Sequence, residues 1–230
     1  MKKITIEQLE NIEIFRNISK TSLKELSFLG EVKRYKVGGH LFRDKEDVIT
    51  LYFIISGSVS LYKLNESGNK RVIFILSEGK IINDISIQDL PTSINCEIFE
   101  DAEILSYNKY AFLNIMENDF TLSKNIICSL SMKVRRMYRQ LKNANGTIRM
   151  EKKLAAKLWK LSKDYGIHCD SGVIINMNIS ITYIADLLGA KRETISRSLK
   201  ILLNKNLIKY ENKKIIVISQ DRLSEFFKTP

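Results

Sequence analysis

Cysteine and histidine are scarce in this sequence of 230 residues. The three cysteines, Cys96, Cys128 and Cys169, are far apart, and none belongs to a Cys-x-x-Cys pair. The spacing therefore supports neither a disulfide framework nor a zinc ribbon and favours free thiols in a reducing compartment. The two histidines, His40 and His168, are too few for a metal centre with three histidine ligands, so we expect no metal site.

Long hydrophobic runs are also missing. The longest apolar runs, Leu51–Ile55 and Val72–Leu76, have five residues each, whereas a membrane-spanning helix needs about 20. Near the N-terminus, Glu7 and Glu10 interrupt any signal-peptide-like segment. Apolar residues still make up 44% of the chain, which is enough for a packed core. We expect a cytoplasmic protein with no membrane partner.

Positive charge is abundant and unevenly placed. Lys and Arg number 37 and Asp and Glu 26, a formal charge of +11. Residues 146–230 hold 16 basic and 8 acidic residues, so this last third of the chain carries +8 of that excess. A basic domain of this kind is typical of proteins that bind a polyanion, although a solvated basic surface would have the same composition.

The first half of the chain predicts short helices followed by a β domain. Residues Ile6–Leu29 have apolar positions at helical spacing. Between Val32 and Tyr107, short β-rich runs alternate with turn signals, which is typical of an antiparallel sandwich or barrel. The runs are Leu51–Ile55, Ser58–Tyr62, Val72–Leu76 and Asn95–Phe99.

A long amphipathic helix is predicted next, over residues Leu122–Leu141, after a shorter one over Lys109–Met116. Its apolar stripe could pack on the β domain of its own chain or against the same helix of a second copy. We favour the second arrangement, because Asn143–Gly146 has the composition of a domain boundary. The predicted dimer interface consists of Ile126, Leu130, Val134, Met137 and Leu141.

The C-terminal part has the element order of a winged helix. A helix from Ile148 to Asp164 precedes a strand at Val173–Met177 and a helix-turn-helix within Ile179–Leu203. Two short β runs, Ile208–Tyr210 and Ile215–Ile218, would then form the wing. Ser180 is a good N-cap for the first helix of the motif, and Gly189 suits the turn between the two helices.

The second helix of this motif has two distinct faces. At about 100° per residue, Ile195, Leu199 and Leu202 lie on one side and polar residues on the other. Such a polar face can read base edges and phosphates, although an ordinary amphipathic surface helix would look similar. We expect base contacts from Arg192, Glu193, Ser196 and Arg197, and phosphate contacts from Ser180, Lys191, Lys200, Lys209, Lys213 and Lys214.

The segment Arg192–Arg197, Arg-Glu-Thr-Ile-Ser-Arg, resembles the recognition-helix signature of the CRP/FNR superfamily of bacterial transcription regulators, in its FNR-like branch. Weaker markers of the family are Gly38-Gly39, Ile55–Val59 and Glu78-Gly79. The resemblance implies an α+β fold: a β-roll of the cyclic-nucleotide-binding type (a double-stranded β-helix) in residues 1–117, a dimerisation helix in 118–143 and a winged helix-turn-helix in 144–230. It also implies a homodimer, an inverted-repeat operator in double-stranded DNA, RNA polymerase as a partner and no enzymatic activity.

The same resemblance bears on the effector. Members that bind cyclic AMP carry Gly-Glu-Leu and Arg-Ser at positions where this chain has Asn83-Asp84-Ile85 and Thr92-Ser93. Met137 and Tyr138 stand where those members face the adenine. Because Thr92 supplies no cation for a buried phosphodiester, we expect a different small-molecule effector at these seven positions, or none.

Two other sensing chemistries of the family find little support. The iron–sulfur members need an N-terminal cysteine cluster, and no cysteine precedes Cys96. A haem would need axial ligands, and we interpret His40 as a surface or packing residue. We therefore expect no cofactor. The competing functional interpretations are a cupin-like small-molecule-binding protein or enzyme, and an interaction module that does not bind DNA.

Overall fold

The computed structural model describes residues 3–144, 148–211 and 214–229. The chain divides into two compact units, an N-terminal unit of residues 1–64 and 72–145 and a C-terminal unit of residues 65–71 and 146–230. Within the described residues, no helix is both long and apolar enough to cross a membrane.

The N-terminal unit combines an antiparallel sheet with flanking helices. Its five-stranded sheet has the order β1-β5-β3-β4, and β2 pairs with the far end of β5. The central strand β5 therefore pairs with three others. The strands are β1 (Glu31–Tyr35), β2 (His40–Phe42), β3 (Thr50–Leu64), β4 (Lys70–Ser77) and β5 (Asn95–Asn108). The helices are α1 (Ile6–Glu10), α2 (Lys20–Leu29), α3 (Lys109–Asn118) and α4 (Phe120–Ala144).

Two runs predicted as separate strands, Leu51–Ile55 and Ser58–Tyr62, belong to the single long strand β3. The register against β5 shifts between them, so the turn signal at Gly57 marks a β-bulge. Gly57 has φ +81°, and a Cβ there would lie 2.3 Å from the carbonyl oxygen of Asp101. Only glycine fits this close approach of two backbones, so the bulge depends on it.

The C-terminal unit packs helices onto a second antiparallel sheet. Its four strands have the order β6-β7-β9-β8, which places the predicted wing, β8 and β9, next to β7. The strands are β6 (Gly166–Cys169), β7 (Gly172–Ile175), β8 (Ile208–Glu211) and β9 (Lys214–Val217). The helices are α5 (Met150–Asp164), α6 (Ile181–Leu188), α7 (Arg192–Asn204) and α8 (Gln220–Lys228).

Three details differ from the sequence prediction. Strand β6 and helix α8 were not predicted, because a four-residue strand and a nine-residue helix leave little periodicity to recognise. Helix α8 depends on a cap and a contact, since Ser219 Oγ accepts from the Arg222 amide and Phe227 packs on Trp159 of α5. Helix α4 continues through Ala144, past the predicted boundary at Asn143, and residues 145–146 lie outside the described residues.

Four aromatic rings form the centre of the N-terminal unit. Phe15, Phe53, Tyr107 and Phe112 are buried, with ring centroids 5.1–6.2 Å apart in tilted or edge-on pairs. The rings come from the N-terminal segment, β3, β5 and α3, so this cluster joins the helices to the sheet. Burial raises the pKa of the Tyr107 hydroxyl, which therefore stays protonated.

The start of α4 is held by a buried carboxylate. Asp119, which is 6% exposed, accepts from the Leu122 amide at 3.1 Å through Oδ1. Its Oδ2 accepts from the Ser19 amide at 2.9 Å and from Ser22 Oγ at 2.7 Å. Burial raises the pKa of Asp119, but these hydrogen bonds outweigh it and the net shift is downward. One side chain thus caps α4 and joins it to α2.

We expect Asp119→Asn to lower the free energy of unfolding at pH 7 by about 2 kcal/mol, the loss typical of a cap and a charge-assisted hydrogen bond. Because the folded-state pKa is lowered, the stabilisation is complete above the unfolded pKa of about 3.9 and disappears as the pH falls through the folded-state value. Urea unfolding of both proteins over an acidic pH series measures this difference.

The matched control is Asp47→Asn, because Asp47 is exposed and has no hydrogen bond with a described residue. Its unfolding free energy should stay close to that of the wild type at every pH. Equal losses from the two substitutions would contradict the role of Asp119.

Candidate nucleic-acid interface

Helices α6 and α7 form a capped helix-turn-helix. Ser180 Oγ accepts from the Tyr183 amide at 3.0 Å, which confirms the predicted N-cap of α6. Gly189 ends α6 in the left-handed conformation, with φ +62°, and its amide donates to the Ala185 carbonyl. The chain then turns within three residues, and α7 begins at Arg192. Local chemistry therefore sets the geometry of the motif.

The two faces of α7 are as predicted. Ile195, Leu199 and Leu202 are buried, and α7 packs against α5 and α6. On the opposite face Arg192, Glu193, Arg197 and Lys200 are exposed, and Ser196 is partly exposed. Lys191, directly before the helix, is exposed as well.

The cations on this face have no ion-pair partner in the part of the chain that the structure describes. Within the described residues, Arg192, Arg197 and Lys200 form no ion pair, and the Arg197 guanidinium only donates, at 3.5 Å, to the Glu193 backbone carbonyl. Uncompensated guanidinium and ammonium groups on a rigid helix create a positive potential that attracts a polyanion. The face of α7 therefore has the chemistry of a nucleic-acid contact surface.

The two described lysines of the wing have different surroundings. Strands β8 and β9 are paired from Ile208, opposite Val217, to Glu211, opposite Lys214. Lys209 is exposed on β8. The Lys214 ammonium instead donates to Asn176 Oδ1 at 2.9 Å, so it supports the wing from within its own unit. Lys213, which we predicted to contact phosphate, lies outside the described residues.

The dimer interface predicted on α4 needs correction. Ile126 is only 2% exposed and lies in the core of its own unit, and Leu130 packs against the same core. The first half of the predicted stripe therefore takes the alternative arrangement, in which it packs on its own β domain. Val134, Met137 and Leu141, in the second half of the stripe, remain exposed.

A different apolar stripe of α4 is exposed over the full length of the helix. Phe120, Ile127, Val134 and Leu141 recur every seven residues, and Ile127 is 59% exposed. Tyr138, 67% exposed, lies one turn after Val134 on the same side. Apolar residues with this spacing form the contact line of two-stranded coiled coils. The heptad was visible in the sequence, but only burial shows which of the two stripes faces outwards.

Asp84, the acid predicted to meet an effector, is engaged by α4 instead. Its carboxylate is 1% exposed and accepts from Lys133 Nζ at 2.6 Å through Oδ1 and from Ser129 Oγ at 3.1 Å through Oδ2. Lys133 also donates to the carbonyl oxygens of Ile81 and Ile82. Burial lowers the pKa of Lys133, although the charge of Asp84 opposes this shift. No pattern in the sequence predicts this contact of Lys133.

The other predicted effector residues are also used by the protein or are exposed. The Thr92 hydroxyl donates to the Arg43 carbonyl at 2.6 Å, and the Asn83 side chain accepts from the Tyr52 amide and donates to the Thr50 carbonyl. These two side chains therefore hold loops of the β domain. The remaining four are partly or fully exposed, namely Ile85, Ser93, Met137 and Tyr138.

Comparison with known families matches both parts of the chain. The family model of the cyclic nucleotide-binding domain matches residues 32–119, and that of the Crp-like helix-turn-helix domain matches residues 152–226. Together they define a transcription regulator with a sensor-type β domain and a helix-turn-helix DNA-binding domain. The chain belongs to the CRP/FNR superfamily.

Individual relatives agree with this assignment. The chain is 26% identical over 189 residues to the anaerobic regulatory protein of Bacillus subtilis, covering 80% of this chain and 78% of that protein. It is 22% identical over 219 residues to the CRP-like cAMP-activated global transcriptional regulator of Mycobacterium tuberculosis, covering 95% and 97%. The solved structure of a CooA mutant from Carboxydothermus hydrogenoformans shares the fold, with a TM-score of 0.76, 20% identity and coverage of 99% and 97%.

Proposed function

We propose that this regulator binds an inverted-repeat operator in double-stranded DNA as a homodimer in the cytoplasm. The observation that carries the proposal is the exposed, uncompensated charge on α7, held by a capped turn and a buried apolar face. Two such helices would enter successive major grooves, about 34 Å apart. From the family we infer RNA polymerase as a further partner and no enzymatic activity.

The side chains on and around α7 divide into two roles. Arg192, Glu193, Ser196 and Arg197 would read bases, since arginine forms paired hydrogen bonds with guanine and glutamate accepts from cytosine. Ser180, Lys191, Lys200 and Lys209 would hold phosphates, which positions the protein without selecting a sequence. The Ser180 hydroxyl accepts from the Tyr183 amide and still has its proton to donate. The Lys214 ammonium donates one hydrogen bond to Asn176 and keeps its charge and two further N–H groups, so it belongs to this set as well.

The exposed stripe of α4 would form the dimer contact. In the monomer, Ile127, Val134, Tyr138 and Leu141 leave a long apolar line open to water. Pairing with the same line of a second copy would bury these side chains as a two-stranded coiled coil. This interface retains Val134, Met137 and Leu141 from the sequence prediction. Ile127 and Tyr138 take the places of Ile126 and Leu130, which pack on the core of their own unit.

The effector, if one acts in the β domain, would differ from cyclic AMP. The Asp84 carboxylate is paired with Lys133, and the Thr92 hydroxyl donates to the Arg43 carbonyl, so neither side chain is free for a nucleotide. A buried phosphodiester without a counter-charge is costly. The residues at this site therefore do not fit a cyclic nucleotide, and any other ligand would act by binding two dimer arrangements with different affinities.

We expect Arg197→Ala to weaken operator binding by about 1–3 kcal/mol and to relax the preference at one base pair, because this side chain reads a base edge. Gel-shift titrations of operator and random DNA over a salt series would measure both effects. Arg135→Ala, which removes an exposed arginine from α4, is the control and should leave the discrimination between the two DNAs unchanged.

Equal losses on operator and random DNA would contradict base reading by Arg197. A wild-type protein that binds no duplex at any salt concentration would overturn the proposed function and favour an interaction module with a protein partner.

We expect Ile127→Glu to convert the dimer into monomers, because it places a charge at the centre of the exposed stripe. Met132→Glu is the matched control, since Met132 is similarly exposed on the opposite side of α4. Analytical ultracentrifugation would distinguish the two variants. A dimer that survives Ile127→Glu would show that the subunits associate through another surface.

We expect cyclic AMP at about 1 mM to leave the unfolding temperature unchanged, since Asp84 and Thr92 are already engaged. A ligand with a dissociation constant of about 10 µM would stabilise the fold by about 2.7 kcal/mol at that concentration. Differential scanning fluorimetry would detect such a change. A saturable rise in unfolding temperature would contradict the exclusion of cyclic AMP.

A further inference from the structure

A second feature of the N-terminal unit is a cavity that none of the predicted effector residues lines. Its volume is about 160 Å³, and it lies between the 3₁₀ turn Glu13–Phe15, the turn that follows β4 at Gly79–Ile81, and α4. Helix α4 contributes Cys128, Met132 and Arg136, spaced four residues apart on one side of the helix. That side points away from the exposed Ile127–Leu141 stripe, so a partner helix on the stripe would leave the cavity open.

The charges in the cavity do not cancel. Lys80 donates to the Glu13 carboxylate, and Lys133 is paired with Asp84. Arg136 also lines the cavity, and within the described residues it forms no hydrogen bond or ion pair. Burial lowers the pKa of Lys80, and the charge of Arg136 lowers it further. The charge of Arg136 therefore stays uncompensated among the described residues and close to two other cations. A positive charge of this kind at a concave site favours the binding of an anion.

Beside the polar side chains of Asn125 and Ser129, part of the remaining wall is apolar. Ile14, Leu76, Ile81 and Met132 line the cavity beside the cations. An apolar cavity of about 150 Å³ is large enough for one benzene ring. A ligand that matched both features would carry one negative charge and one apolar group of that size.

We propose that this cavity binds a small organic monocarboxylate whose apolar part is about the size of one ring. The planar guanidinium of Arg136 matches the two oxygens of a carboxylate, and the apolar part would lie against Ile14, Leu76 and Met132. A single unmatched cation suits a monoanion better than a phosphate monoester, which carries a charge of about −1.5 to −2. This inference goes beyond the proposed function and does not depend on DNA binding.

Cys128 reports directly on occupancy of the cavity. Its thiol is exposed and lines the cavity, whereas Cys96 is buried and Cys169 lies in the C-terminal unit. The experiment measures the rate of alkylation of Cys128 and Cys169 by iodoacetamide, a neutral reagent, using peptide mass spectrometry of the full-length protein. The probe is benzoate, titrated at constant ionic strength with chloride.

We expect benzoate to slow alkylation of Cys128 about tenfold at about ten times its dissociation constant, since the reactive fraction falls as 1/(1 + [L]/Kd). The rate at Cys169 should not change. Acetate, which lacks the ring, and benzyl alcohol, which lacks the charge, should protect Cys128 much less at the same concentration.

The variant Arg136→Gln should abolish protection by benzoate and should not lower the unfolding temperature, because Arg136 has no partner among the described residues and its charge repels that of Lys80. Arg135→Gln, the adjacent exposed arginine outside the cavity lining, should keep full protection. The proposal is overturned if benzoate does not protect Cys128, if benzyl alcohol protects it equally well, or if both arginine variants lose protection alike. DNA-binding results do not enter this test, so a failure here leaves the proposed function intact.

Discussion

The buried pair of Asp84 and Lys133 decides how the long helix lies on the β domain. The two groups are 2.6 Å apart and side-chain exposure is 1% for Asp84 and 14% for Lys133, so neither charge is solvated by bulk water. Removing one partner of such a pair costs about 3–5 kcal/mol, because the other charge is left buried. Lys133 also reaches two backbone carbonyls, and Gln140 donates to the Ile73 carbonyl farther along. These contacts of Lys133 and Gln140 hold the helix on the β domain at several points along its length.

This arrangement gives α4 three sides with different chemistry. One side, with Ser129 and Lys133, is hydrogen-bonded to the β domain, and a second side exposes an apolar heptad that includes Ile127. The adjoining side, with Met132 and Arg136, closes a cavity that Ser129 and Lys133 also line, and Arg136 has no ion-pair partner there among the described residues. Because 3.6 residues complete a turn, one helix can serve as anchor, dimer contact and ligand wall. The polar pair also engages Asp84, one of the predicted effector residues.

The helix-turn-helix could be predicted from local signals, whereas contacts between residues far apart in the sequence could not. Every determinant of the helix-turn-helix is local, from the Ser180 cap and Gly189 to the periodicity of α7. Lys133 and Asp84, in contrast, are separated by 49 residues, and Lys214 and Asn176 by 38, so no spacing in the sequence connects them. The folded structure therefore gives these side chains contacts that the sequence did not predict. A short strand and a short helix, β6 and α8, were missed because their signals depend on neighbours.

The amino-acid sequence alone determined the family, the order of most elements and the charged face of the recognition helix, because local periodicity and capping encode them. The tertiary structure decided which of two overlapping apolar stripes of α4 is buried. Leu122 and Ile126 lie in the core, and Ile127 does not, since the carboxylate of Asp119 and the pair at Lys133 set the rotation of the helix. Rotating the helix by the angle of one residue, about 100°, would exchange its buried and exposed stripes. Only long-range contacts determine which of these rotations the helix adopts.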